Sequence, residues 1–248
     1  MAGALASDTL GFAVTRPIAA VVFDIDGTLL DTEGLFRDAF MRTAKRFGLR
    51  VSEAAYLRLI GVPTCARCTA LADTNGGGVD VDAFCTAYRS ERSALLASGI
   101  PVKADAHATL ALLAGMGVGL AAATSASRAT ALAHLRRAAM LDMLDVVVAR
   151  DDVTRAKPAP DAFIQALRLL RRRPAEAIAI EDSLHGLKAA IRAGLRVVLV
   201  PDLAPLRRAA RTMAWRVEPG LDRIAALVCA SRVSEPSRDW AVAGSWTA

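Results

Sequence analysis

The sequence predicts an α/β fold, a doubly wound parallel sheet with an all-helical segment inserted in it. Three observations predict this. Short apolar runs at residues 18–23, 118–123, 146–149, 177–180 and 196–200 are of the kind that suits strands buried on both faces. Stretches with helical spacing of apolar residues separate most of them, the alternation expected of a parallel sheet. Between residues 32 and 103 no strand run appears, and Leu35, Phe36, Ala39, Phe40, Ala44 and Phe47 recur at helical spacing instead.

The first run ends in Asp24-Ile25-Asp26-Gly27-Thr28, which places two carboxylates beside a glycine turn. In an open α/β sheet the ligand crevice lies beyond the carboxyl ends of the strands, so both acids point to it. An isolated Asp-x-Asp is also what a capped turn looks like, and the meaning of this pair depends on the other strand ends. The run at 118–123 stops at Thr124-Ser125-Ala126-Ser127, which brings hydroxyls to the crevice. After 146–149 the chain passes through Arg150-Asp151-Asp152 to Lys157-Pro158-Ala159-Pro160-Asp161, where two prolines fix the backbone before a helical pattern. The run at 177–180 ends in Glu181-Asp182-Ser183, with Gly186 soon after. Two acid clusters, hydroxyls and a lysine at strand ends are what phosphoryl transfer with a divalent cation requires.

These four motifs, DIDGT followed by LLDTE, TS, KPAPD, and EDSLHG followed by LKAAIRAG, resemble those of the haloacid dehalogenase superfamily over residues 18–201. The likeness is to its phosphatase branch with a helical cap, close to the β-phosphoglucomutase-like and phosphoglycolate phosphatase-like enzymes. It implies a Rossmann-like core over residues 17–31 and 104–232 and a helical cap over 32–103. A loose leader over 1–16 and a tail without packed structure over 233–248 complete the expected organisation. The resemblance implies that Asp24 is the nucleophile, that Asp26 is the general acid and base, and that Thr124, Ser125 and Lys157 hold the phosphoryl group. Thr124 is expected to supply the hydroxyl and Ser125 mainly its backbone N–H. Mg²⁺ would be held by Asp24, the Asp26 carbonyl and Asp182 or Glu181, with Asp182 ranked first. Thr28 is expected to cap the loop after the acids. Specificity would lie in the cap around Gly61, Thr64 and Arg67.

The expected function is therefore Mg²⁺-dependent hydrolysis of a small phosphorylated metabolite, a sugar phosphate first, through an aspartyl-phosphate. The alternative is a phosphosugar mutase of the β-phosphoglucomutase type. That branch carries a cap histidine where this sequence has Leu35-Phe36 and an arginine where it has Thr64, and both departures favour hydrolysis. A phosphonate hydrolase would need a cap lysine and a small residue at position 26; Asp26 is present, and besides Lys103 at the return hinge the cap lysine is Lys45. The dehalogenases proper lack the second aspartate. A binding protein without catalysis would be expected to lose one of Asp24, Asp26, Lys157 and Asp182, and all four are present.

Composition agrees with one large core and a smaller lobe in 248 residues. Hydrophobic content of 54% and a mean hydropathy of +0.34 owe much to alanine. The most apolar stretch, 109–123, is shorter than the ~20 residues that cross a bilayer, so no membrane partner and a cytoplasmic location are expected. The charge of +6 suggests nucleic acid, but aromatics at 5% leave few stacking platforms. Its densest cluster, Arg168 and Arg171 to Arg173, falls at a helical C-terminus, where cations compensate the dipole. Cys65-x-x-Cys68 lacks a second ligand pair for zinc.

Overall fold

The computed structural model describes residues 16–233 apart from 61, 63, 75–77, 98 and 204–207. The expected leader and tail, Gly61, most of the glycine turn at 76–78 and Ser98 of the return linker lie outside the described residues. Six parallel strands form one sheet: β1 (Ala20–Phe23), β2 (Gly119–Ala123), β3 (Val146–Val148), β4 (Ala177–Glu181), β5 (Arg196–Leu199) and β6 (Arg216–Val217), in the order β3-β2-β1-β4-β5-β6. The five expected strands agree to within two residues at each end. The sixth, β6, is a correction to the five-stranded reading. It is two residues long and begins with an arginine, so no apolar run marks it.

The order has a simple consequence. From β1 the chain builds outward through β2 to β3, then returns to the other side of β1 to build β4, β5 and β6. The reversal falls between β1 and β4, the point where an open α/β sheet leaves a crevice.

Side chains alternate across β1, and each face has its own helices. Val21 and Phe23 pack with Leu110 and Leu113 of α5 (Ala106–Gly115), Leu135 of α6 (Arg128–Arg137), and Ile224 and Val228 of α10 (Asp222–Val233). Ala20 and Val22 pack with Phe163 and Ala166 of α7 (Asp161–Leu169), Leu187 and Ala190 of α8 (Leu184–Arg192), and Ala210 of α9 (Arg208–Met213). β1 is buried throughout, and each large apolar side chain so removed from water contributes ~1.5–3 kcal/mol. The backbone that presents Asp24 is thus among the most firmly held.

Among the described residues four helices separate β1 from α5: α1 (Glu33–Arg46), α2 (Glu53–Leu57), α3 (Thr64–Thr74) and α4 (Val81–Leu95). They close around a core of their own, centred on Phe40. Its ring lies 5.3 Å from Tyr56, 5.5 Å from Phe84 and 5.3 Å from Tyr88, the last two edge-on. Ser52 and Asp80 cap α2 and α4 by accepting the Ala55 and Ala83 N–H groups. Cys68 and Cys85 are buried in this core as apolar packing.

The insertion leaves and rejoins the core through paired backbones. Leu30 bridges Val102 in antiparallel sense, the Asp31 N–H donates to the Pro101 carbonyl, and the Lys103 N–H donates to the Leu29 carbonyl. The expected basic cluster lies exposed where α7 ends: Arg168 is in its last turn and Arg171 takes a left-handed φ of 54° just beyond it. Among the described residues no helix is long and apolar enough to cross a membrane.

Candidate active site

Asp24 is the residue after β1, and its N–H still donates to Ile180 on β4, so the ladder fixes its position at the crevice. Ile25 turns into the core, and Asp26 returns to the crevice side. Gly27 has φ +86°, which a side chain tolerates poorly, and a Cβ there would lie 2.4 Å from Asp182 Oδ2. Bare backbone at this position lets the first strand end approach the acids of β4. Thr32 donates its hydroxyl to Asp26 Oδ1 at 2.7 Å, so the first residue of the insertion orients that acid. Thr28 does not cap the loop as expected: its hydroxyl is buried with no hydrogen-bond partner, while its N–H donates to Ile25.

The centre of the site is Lys157. Its ammonium donates to Asp24 Oδ1 at 2.6 Å and to Glu181 Oε1 at 2.5 Å, and all three residues are buried. Lys157 stands in the turn four residues before α7, short of the helix start itself, and Phe163 of that helix lies 4.9 Å from its ammonium. Burial opposes the charge on Lys157, but Asp24 and Glu181 more than offset it and hold its pKa above the ordinary lysine value. Burial likewise pushes the Asp24 carboxyl well above the usual carboxylate range, against the pull of Lys157, with Glu181 and Asp26 adding to the rise.

Glu181 is fully committed. Its Oε1 takes Lys157, and its Oε2 accepts the N–H and hydroxyl of Ser183. The Ser183 hydroxyl in turn accepts the Gly186 N–H and caps α8. A Cβ on Gly186 would fall 1.8 Å from Glu181 Oε1, so glycine in the first turn of α8 is what gives this carboxylate its space. Asp182 is buried beside Asp24 and Glu181, and burial followed by those two charges pushes its carboxyl well above the ordinary range. Oxygens of Asp24, Glu181 and Asp182 all lie within 4.8 Å of one another. Hard oxygen donors grouped so closely, with a single ammonium among them, fit a small divalent cation such as Mg²⁺.

Thr124 and Ser125 follow β2 into the same cavity. The Thr124 hydroxyl accepts the Ala126 N–H at 3.0 Å, whereas the Ser125 hydroxyl is buried with no partner. As an acceptor of that N–H, Thr124 keeps its own hydroxyl hydrogen to donate, as expected, and the Ser125 hydroxyl, expected to matter less than its N–H, is a second donor in the same cavity.

The insertion closes the cavity with Glu33, Phe36, Ile60, Val62, Thr64, Arg67 and Arg92. Thr64 and Arg67 are expected here, and Phe36 belongs to the Leu35-Phe36 pair that stands where the mutases carry a histidine; Glu33 and Arg92 join them without an expected role. Arg67 donates to the Tyr56 hydroxyl at 3.1 Å and the Val62 carbonyl at 3.2 Å, and its Nε is unpartnered. The Arg92 guanidinium lies 3.6 Å over the Phe36 ring, and its Nε is also unpartnered. Burial raises the Glu33 carboxyl from 4.5 to about 7 against the pull of Arg67, with Asp26 and Asp202 adding to the rise. An acid placed directly after Asp31-Thr32, on a helix face that otherwise reads apolar, is the signal that singles out Glu33. Arg92 carries none, since helical spacing does not distinguish a cavity-facing arginine from a solvated one.

Residues 21–200 match the family described as haloacid dehalogenase-like hydrolase. The chain belongs to this family. Within it the resemblance is to phosphatases. It is 30% identical to the phosphorylated carbohydrates phosphatase of Thermotoga maritima, over 71% of this chain and 82% of that protein. It is 32% identical to the fructose-1-phosphate phosphatase YqaB of Escherichia coli, over 73% of this chain and 95% of the other. Among solved structures, CbbY from Rhodobacter sphaeroides in complex with phosphate superposes with a TM-score of 0.73 at 30% identity, covering 84% of this chain and 96% of that one. The haloacid dehalogenase-like motifs are therefore assembled here as one site at the β1–β4 crevice, under a helical insertion.

Proposed function

We propose that this phosphatase hydrolyses phosphate monoesters of small carbohydrates, with Mg²⁺, through a covalent phosphate on Asp24. The observation that carries the reading is the division of the cavity into two halves. One half gathers Asp24, Lys157, Thr124 and Ser125 at the strand ends. The other, made by the insertion, presents polar atoms of Glu33, Arg67 and Arg92 that have no hydrogen-bond partner among the described residues. Buried polar groups left without partners suit a ligand that brings hydroxyls. The named activities of the Thermotoga and Escherichia relatives, on phosphorylated carbohydrates and on fructose 1-phosphate, agree with that class.

In the first step an Asp24 oxygen attacks phosphorus and the bond to the ester oxygen breaks, while Asp26 gives that oxygen a proton. Thr32 keeps Asp26 aimed for this. In the second step Asp26 takes a proton from water as the water oxygen attacks the acyl-phosphate, releasing phosphate and restoring Asp24. Lys157 holds Asp24 in place and offsets negative charge, and Ser125 and Thr124 donate to the phosphoryl oxygens. Asp24, the Asp26 carbonyl and Asp182 would hold Mg²⁺, and Glu181, occupied by Lys157 and Ser183, serves to place the lysine. When bound, the cation neutralises charge on the phosphoryl oxygens.

The experiment uses an aryl phosphate and intact-protein mass spectrometry. Phosphate release stops on chelation, Asp24→Asn neither turns over nor retains phosphate, and Asp26→Asn accumulates the phospho-protein because its hydrolysis lacks a base. Full activity in excess chelator, or a phosphorylated Asp24→Asn protein, overturns the assignment.

A further inference from the structure

The loop after β5 brings one more carboxylate to the edge of the acid cluster. Asp202 Oδ1 accepts from the Lys103 ammonium at 2.5 Å. Its other oxygen, Oδ2, is buried and has no hydrogen-bond partner among the described residues. A Cβ built on Gly27 would meet Asp182 Oδ2 at 2.4 Å and Asp202 Oδ2 at 3.2 Å, so both oxygens crowd the space over that bare α-carbon. Two carboxylate oxygens turned to one small space, with no donor between them, repel each other unless something positive or donating joins them.

Asp202 stands outside the group whose oxygens lie within 4.8 Å of one another, which is Asp24, Glu181 and Asp182. A direct bond from Asp202 to a cation held by that group is therefore not what the spacing provides. Mg²⁺ keeps several of its waters in protein sites, and a water on the cation donates to whatever acceptor faces it. The orphaned oxygen of Asp202 is such an acceptor.

Its orientation is set from the hinge. Lys103 is held by its backbone N–H on the Leu29 carbonyl, and its ammonium spans Asp202 and, at 3.1 Å, Asp31. With Oδ1 taken by that ammonium, Oδ2 is the oxygen left facing Gly27 and Asp182.

We propose that Asp202 is a positioning residue for the divalent cation: its Oδ2 accepts a hydrogen bond from a cation-bound water, and Lys103 keeps that oxygen turned inward. The proposal rests on the Mg²⁺ reading above. Partners of this kind, one layer out from the ligands, are worth 10- to 100-fold in metal affinity when lost.

The test is titration of the purified, metal-free protein with Mn²⁺ alone, following free Mn²⁺ by electron paramagnetic resonance. Asp202→Asn keeps the size of the side chain. Lys103 requires an oxygen at its end of the amide, so the NH₂ group is turned inward, donor against donor, and the dissociation constant rises by about 10-fold or more. Adding Lys103→Met to Asp202→Asn frees the amide to turn its oxygen inward and restores part of the affinity. A wild-type dissociation constant in Asp202→Asn overturns the role of Asp202, and a double variant no tighter than the single overturns that of Lys103. A wild-type protein that binds no Mn²⁺ overturns the metal reading itself, a failure distinct from the other two.

Discussion

Glu33→Gln isolates one buried carboxyl whose ionisation the fold resists. In the unfolded chain the group titrates near 4.5, and in the folded protein burial raises it to about 7. Its folded pKa is raised, so the protonated form is the one the fold favours. That contribution is fully present below about 4.5 and is lost as pH rises through 7. At about 1.4 kcal/mol per pKa unit the loss comes to about 3 kcal/mol. For a chain of this size 1 kcal/mol moves the midpoint of thermal unfolding by roughly 2–4 °C, so the effect is on the order of 6–12 °C. Glutamine cannot ionise. Relative to wild type, Glu33→Gln therefore gains stability between pH 4.5 and 7 and holds that gain above 7, while the two proteins agree within the cost of the isosteric change at pH 4.5. Thermal unfolding followed by circular dichroism in chelator, across this range, measures the difference. Asp24 titrates in both proteins and cancels, while the Glu33 charge is one of those that raise Asp182, so its removal adds a smaller difference of the same sign. Parallel curves for the two proteins would show that Glu33 is not strained by its setting, and that the cavity wall is more open to water than its burial indicates.

Two further perturbations test the site's construction. Gly186→Ala drives a methyl into Glu181; because Glu181 holds Lys157, it should lower the unfolding midpoint and cut kcat by more than tenfold, and an alanine variant with wild-type kinetics would refute the packing argument. Incubation with β-glucose 1-phosphate should release phosphate and form no glucose 6-phosphate, with or without a bisphosphate primer, since Phe36 under the Arg92 guanidinium offers no proton to exchange; efficient isomerisation, read by a coupled dehydrogenase assay, would refute hydrolysis as the main reaction.

Which parts of this architecture can be read from the chain follows from what each part depends on. Asp24, Asp26, Lys157 and Asp182 are legible because chemistry at strand ends needs particular residue types, and apolar runs show where the strands stop. The two-residue β6 escapes because an edge strand that short buries too little to leave a pattern. The places of Arg92 and Asp202 escape for another reason: they depend on which side chains from distant segments meet, and periodicity reports a face without naming what it faces. Ser125 illustrates the limit at a single residue, where its register beside Thr124 is plain in the sequence but its unpartnered hydroxyl appears only once the loop is folded.

The paired backbones at Leu30 and Val102 give the insertion a property of its own. From the viewpoint of the sheet, everything between those two residues is the tip of a hairpin, however long it grows. Its sequence is free to drift, lengthen or be exchanged without shifting the register of β1 against β2 and β4, on which Asp24 depends. If the insertion selects the substrate as proposed, chemistry and preference are written in separable stretches of one chain, joined where Thr32 reaches back to Asp26. On the division of the cavity proposed above, a transplant between Leu30 and Val102 that keeps Thr32 would carry a new preference onto an unchanged reaction.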